Sequence, residues 1–294
     1  MRKAMKKKKL RHFELIDGIL LIVLTSWALV IVLPFMNVIA ISFSTQRSYA
    51  AEPLLLWVKE FSLESYQMLF RDARIWIGFR TTIQLLLIAL PINMFLSTTL
   101  AYALSRQGYP GRTIILKLVV FTMLFNGGII PTYLTMKAYG LLGGLAGVAL
   151  VTGLNTFYMI IMLNFFKSLP ESLVESAKLD GASEWKILLR IVLPLSKPVI
   201  ATVFLYYFVD RWNEWYYAML MIRDTAKTPL QLILRNIVLE AQAMDNVVTE
   251  SVDMYSFSLG IKMGAVVVTI IPVMCVYPFL QKHFTKGIMI GAIK

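Results

Sequence analysis

Six stretches of the chain are apolar almost without interruption, at about 18 to 43, 79 to 104, 113 to 136, 145 to 166, 196 to 221 and 263 to 283. Crossing the hydrocarbon of a bilayer takes about 20 apolar residues in a helix, and all six reach that length. An isolated strand leaves its backbone unpaired in lipid, so each stretch is expected to be a helix. The first run, from Gly18 to Phe43, exceeds the roughly 7 to 15 residues of a signal sequence's apolar region, so it reads as a retained span. Two of the intervening polar segments are long, about 44 to 78 and 222 to 262, and their charges, aromatics and turn formers predict short surface helices. Neither a solenoid repeat nor a soluble domain interrupts the pattern. The expected organisation is a basic tail at 1–17, a six-helix membrane domain at 18–283 and a second tail at 284–294.

Composition agrees with an all-α integral membrane protein. Of 294 residues, 58% are hydrophobic and 16% charged, whereas soluble domains carry about a quarter charged residues. The formal charge of +12 does not point to nucleic acid, because such binders gather their basic residues on one face or helix. Here Lys and Arg lie between apolar runs, where their natural partner is the anionic inner surface of a lipid membrane. With the N-terminus inside, eighteen Lys and Arg fall in inner segments against ten in outer ones. Both termini are therefore expected in the cytoplasm.

Candidate chemistry is sparse. Cys275 is the single cysteine and sits in an apolar run, which excludes an intrachain disulfide and suggests no Cys-based metal site. His12 and His283 have no carboxylate cluster around them and read as juxtamembrane residues rather than ligands. No stretch reads Gly, four residues, Gly-Lys-Ser/Thr, so energy from ATP has to come through another chain. No nucleophile and base pair is evident, and no catalytic residue or metal site is expected.

The inner loop from Ser168 to Pro198 parses as two short helices. Pro170 suits a first turn, Leu173, Val174 and Ala177 form one apolar stripe, and Gly181 after Asp180 is a natural stop. Ser183 is placed to cap a second helix, with Lys186 and Arg190 near its end. Such a loop either projects a docking helix, its stripe filling a partner's groove with Glu175 at the rim, or lies flat in the membrane interface.

Glu175, Ser176 and Ala177, then three residues, Gly181, nine residues and Ile191-Val192-Leu193-Pro194 resemble the EAA loop of binding-protein-dependent ABC importer permeases. Ser176 stands where the pattern has its first Ala. The resemblance extends over nearly the whole chain, through Trp212-Asn213-Glu214 and the tail from Lys286-Gly287 to Gly291, to carbohydrate-uptake permeases of MalG-like type. Asn126-Gly127-Gly128 with Pro131 is similar to the LplC/YtcP-like subgroup, which handles oligosaccharides including uronate-containing fragments. The resemblance implies a type I importer permease fold at the cell membrane. It implies that Leu173, Val174, Glu175, Ser176, Ala177 and Gly181 couple to a cytoplasmic ABC ATPase dimer that binds ATP and Mg. It also implies a second, homologous permease subunit and an extracytoplasmic solute-binding protein.

Asp210, Arg211, Asn213 and Glu214 lie about 14 residues beyond the inner end of the fifth span, roughly 21 Å at 1.5 Å per residue. Asn126 to Gly128 fall at a similar depth, which suggests a common polar layer in the outer half of the membrane. On one helix, Asp210 and Glu214 share a face and Arg211 pairs with Glu214, so the group either lines a cavity or braces helices. Trp212, Trp215, Tyr216 and Tyr217 either stack on sugar rings or form an interfacial belt. Asn93, Ser97, Thr98, Thr99, Asn155 and Thr156 read as interhelical glue. A peptide, polyamine or ion importer, an ion-coupled secondary transporter and a non-transporting sensor are the rival readings.

Overall fold

The computed structural model describes residues 15–52, 54–108, 110–247 and 258–291. Among these the fold is helical, with one isolated bridge between Ser44 and Phe61. Two compact units are distinguished: Met1–Met68 with Ser251–Val267, and Leu69–Glu250 with Val268–Lys294.

In the first unit, α1 (Leu15–Ser42) is 28 residues long, about 42 Å at 1.5 Å per residue. Its side chains from Ile19 to Met36 are exposed, as an apolar helix standing in lipid would be. Burial begins at Ala40 and Ile41, which pack on Leu55. The Asn37 side-chain amide donates to Leu55 O at 2.9 Å, and the Ser42 and Tyr66 hydroxyls meet at 2.9 Å. The outer segment folds into α2 (Gln46–Ala51), capped by Thr45, and α3 (Glu64–Arg71), the short surface helices its composition predicted.

In the second unit, α4 (Ala73–Ser105) is capped by Asp72, whose carboxylate accepts from Arg74 N–H at 2.8 Å. The Arg74 Nε–H, shared between both Asp72 oxygens, holds the Asp72 carboxyl below the usual carboxylate range. This helix is the spine of the unit. Against it pack α7 (Leu145–Val151), α8 (Thr156–Lys167), α12 (Lys197–Trp212) and α14 (Leu230–Val247). The main core gathers Tyr102, Met159, Met162, Phe166, Ile187 and Tyr207.

Three helices are long and apolar enough to cross a membrane unbroken: Ile16–Ser42, Ala73–Ser105 and Leu259–Val276, the last within α15 (Ser258–Gly291). The other three expected spans are not single unbroken helices: the third and fourth are bent pairs, and the fifth is broken after α12. In the stretch 113–136, α5 (Arg112–Leu124) and α6 (Ile129–Ala138) meet at 120°. Gly128 has φ +86 and ψ 179, a region open essentially to glycine alone, and the Asn126 carboxamide oxygen accepts Gly128 N–H at 2.8 Å. In 145–166, α7 and α8 meet at 55° around Gly153. The fifth stretch begins where the inner-loop helix Glu184–Leu195 meets α12 at 86° across Ser196, and α12 ends at Trp212 rather than running on to 221. After a break at Asn213–Trp215, α13 (Tyr216–Met221) follows. Hydropathy counts apolar residues, and a break whose polar groups find internal partners leaves that count high.

Candidate functional site

The loop at 168–198 folds as its residues predict. Pro170 stands immediately before α9 (Glu171–Leu179), and Ser183 Oγ accepts from Lys186 N–H at 3.4 Å to start α10 (Glu184–Ile187). Between them the chain closes a Schellman turn: Ala182 N–H donates to Ala177 O at 2.9 Å and Gly181 N–H to Lys178 O at 3.0 Å. Gly181 has φ +75, the left-handed value that motif requires. Beyond α10 the helix widens into a π-turn (Leu188–Val192) before α11 (Leu193–Leu195). Leu193 N–H bonds to Leu188 O there, which accommodates Pro194, a residue that has no N–H and crowds the preceding turn.

The apolar stripe of α9 divides on folding. Val174 and Ala177 are buried in the chain's own core, whereas Leu173 is exposed. Glu175, Ser176, Leu179 and Gly181 also face outward, Leu179 being 89% exposed. The buried half ties the loop to the spine, helped by polar links at the same end. Tyr102 of α4 donates to the Glu184 carboxylate, Lys178 Nζ lies 2.7 Å from Glu184, and Gln107 donates to Glu171 at 2.8 Å. The Arg106 guanidinium stacks over the Tyr102 ring at 4.4 Å. Val174 and Ala177 thus share one packed core with residues of α4, α8 and α12.

Farther along, the polar group of α12 is engaged internally. Tyr158 OH donates to Asp210 at 3.0 Å. Arg211 and Glu214 pair at 3.4 Å with side chains 9% and 7% exposed. Because Asn213 caps the end of α12, Glu214 lies past the helix and does not share a face with Asp210; its other oxygen accepts Tyr217 N–H at 2.8 Å and starts α13. Asn213 is exposed, donates to Val209 O at 2.8 Å and accepts from Gln231 at 3.0 Å. Trp212 is buried: its indole N–H donates to Thr269 O at 2.9 Å and its ring stacks on Phe208. That placement corrects the belt and sugar-stacking readings for Trp212. Asn126 is exposed and its oxygen is engaged by Gly128 N–H. Among the described residues no hydrogen bond joins it to the α12 group.

The strongest polar junction rests on two tyrosines that sequence reading passed over. Tyr207 OH accepts Asn155 N–H at 2.8 Å and meets Ser97 Oγ at 2.7 Å. Asn93 donates to Thr152 O at 2.6 Å and Gly153 O at 2.8 Å, so α4 satisfies the carbonyls freed at the α7 and α8 break. The glue reading of Asn93 and Ser97 is thus realised, with Tyr207 meeting Ser97 and Tyr158 packed edge-on against it, whereas the Asn155 side chain caps α8 instead, accepting from Phe157 and Tyr158 N–H. A hydroxyl buried at membrane depth must find partners, the one signal that could have singled out these tyrosines. Among the described residues, no group of three His, Cys, Asp or Glu side chains gathers as metal ligands.

Comparison with known proteins follows the same line. Residues 10–290 match the family described as binding-protein-dependent transport system inner membrane component. The polygalacturonan/rhamnogalacturonan transport system permease protein YtcP of Bacillus subtilis is 43% identical over 97% of this chain and 99% of its own length. Protein LplC of the same organism is 40% identical over 90% of this chain and 89% of its own. A membrane chain from the crystal structure of a bacterial ABC transporter involved in import of the acidic polysaccharide alginate superposes with TM-score 0.82 at 29% identity. That match covers 95% of this chain and 99% of the other.

Proposed function

The chain belongs to the family of binding-protein-dependent transport system inner membrane components, and from that membership we propose that it forms half of a translocation path for acidic oligosaccharides. In this reading it is a multi-pass subunit of an ABC importer with both termini in the cytoplasm. It pairs with a homologous permease, receives substrate from an extracytoplasmic binding protein and rests on a cytoplasmic ATPase dimer, where MgATP is bound and hydrolysed. The substrate class is supported by the relatives, one named for polygalacturonan and rhamnogalacturonan and one involved in alginate import.

The observation that carries the proposal is the two-sided α9. One face, Val174 and Ala177, is fixed in the core, while Glu175, Ser176 and Leu179 are exposed for a partner. Closure of the ATPases pushes on that outer face. The Schellman turn and the Tyr102, Glu184 and Lys178 contacts keep α9 from folding away under the load. The displacement passes to α4, α8 and α12 and switches access to the path. A bare helix lying in the interface needs no such anchoring.

The test is reconstitution of the permease pair with its ATPase and binding protein in liposomes. ATP hydrolysis is expected to rise with oligogalacturonide-loaded binding protein, and Glu175→Lys, which reverses charge on the docking face, is expected to remove that rise without lowering membrane insertion. Uptake driven by a proton or sodium gradient without ATP, or full stimulation in Glu175→Lys, would sink the assignment.

A further inference from the structure

A second concave site lies away from the coupling loop, where α6 meets the segment that follows α13. It is a half-open recess of about 430 Å³, within the roughly 300 to 1,000 Å³ of small-molecule sites. Tyr133 and Lys137 stand one turn apart on α6 and line it together with the apolar Leu142 and Leu220 and the charged Arg223 and Asp224. Gly143 N–H donates to Met221 O at 2.9 Å, which holds the two walls together. Asp224 is committed locally: one oxygen accepts Ala226 N–H at 2.9 Å and the other faces Lys227 Nζ at 3.6 Å. Among the described residues neither Lys137 nor Arg223 enters an ion pair. The cavity thus carries two cations facing a single carboxylate that already has partners.

We propose that this cavity is an entry subsite for one uronate unit of an acidic oligosaccharide, with Lys137 and Arg223 taking its carboxylate and Tyr133 and Leu142 contacting the C–H face of its ring. The inference rests on the importer reading, which puts residues 137 and 223 on the side opposite α9. Each side chain suits that ligand. The Arg fork matches a planar carboxylate, a Tyr ring gives an apolar body with a polar tip, and the fixed Asp224 oxygens offer an acceptor to sugar hydroxyls. A docking patch for the binding protein would spread the same charges over a flat rim, whereas here they border a recess that Leu142 and Leu220 also line.

The experiment is uptake of trigalacturonate and of its neutral methyl ester by the complete transporter in proteoliposomes, at saturating binding protein. Lys137→Gln and Arg223→Gln are expected to lower the trigalacturonate rate about tenfold each, the scale of one lost charge-assisted hydrogen bond. Lys137→Arg is expected to stay within about threefold of the parent, Arg223→Lys to fall between the parent and Arg223→Gln because it keeps the charge and loses the fork, and the ester rate to stay unchanged in every variant. Losses equal for acid and ester, or no loss for the acid, overturn the subsite while leaving the importer reading intact. Failure of the parent transporter to take up trigalacturonate overturns the acidic-substrate reading and the subsite with it.

Discussion

Tyr207 shows how one side chain at membrane depth can hold three helices, because its oxygen accepts the N–H of Asn155 while sharing a hydrogen bond with Ser97. The residue is fully buried, so replacement by Phe leaves both partners without a substitute. Tyr207→Phe is expected to lower stability by about 1 to 3 kcal/mol, the penalty of stranding buried polar groups. A fall in the melting temperature of the purified protein in detergent checks it. Asn93 and Ser97 were legible in the sequence because polar side chains in an apolar run have few other uses. Tyr207 was not, since its ring counts as apolar and only the fold reveals where its hydroxyl ends. Trp212 misled for a related reason. An indole near the outer boundary suits an interfacial belt, but here its N–H is satisfied by Thr269 and its ring is packed.

At the scale of elements, the informative features are breaks rather than helices. The runs that form α1, α4 and α15 could be read from length and composition alone. Asn126-Gly127-Gly128 with Pro131, and Pro194 with Pro198, set turn-forming residues in the sequence, but the 120° and 86° bends depend on dihedrals that no hydropathy pattern encodes. Two glycines make the distinction testable. Gly181 sits in the left-handed region, which Asn also enters, and an added Cβ there meets nothing within 4 Å. Gly128, with ψ near 180°, sits where side chains of any kind are excluded. Gly181→Asn is therefore expected to keep nearly full ATPase stimulation and Gly181→Val to lose it. At Gly128, Asn and Val are both expected to destabilise, by about 1 to 3 kcal/mol. Melting temperatures and reconstituted activity of the four variants check the ranking; equal tolerance of Asn at both positions would mean that the α5 and α6 bend is not held by Gly128.

For the molecule as a whole, function depends on which side of the membrane α9 occupies. On the proposed reading that side is the cytoplasm, as the surplus of Lys and Arg on one set of loops leads one to expect, and this can be checked without transport. Asp180 is exposed in the turn after α9, and Thr225 is exposed in the 3₁₀ turn (Thr225–Lys227) beyond α13. A single helix passage through α12 and its break separates the two regions. Cys275 lies on α15 inside its apolar window, with its side chain facing outward from the chain. In lipid that position is out of reach of a charged, membrane-impermeant maleimide, so the natural thiol is expected to stay silent in intact cells. Against that background Thr225→Cys is expected to label from outside, and Asp180→Cys only after permeabilisation. Both substitutions fall on exposed side chains, so loss of the fold does not confuse the reading. External labelling at Asp180 would move α9 to the face where no ATPase resides, and the exposed Glu175, Ser176 and Leu179 would then need another partner. External labelling at Thr225 alone also fixes the cavity of Tyr133, Lys137 and Arg223 on the side from which an oligosaccharide arrives, as an entry subsite requires.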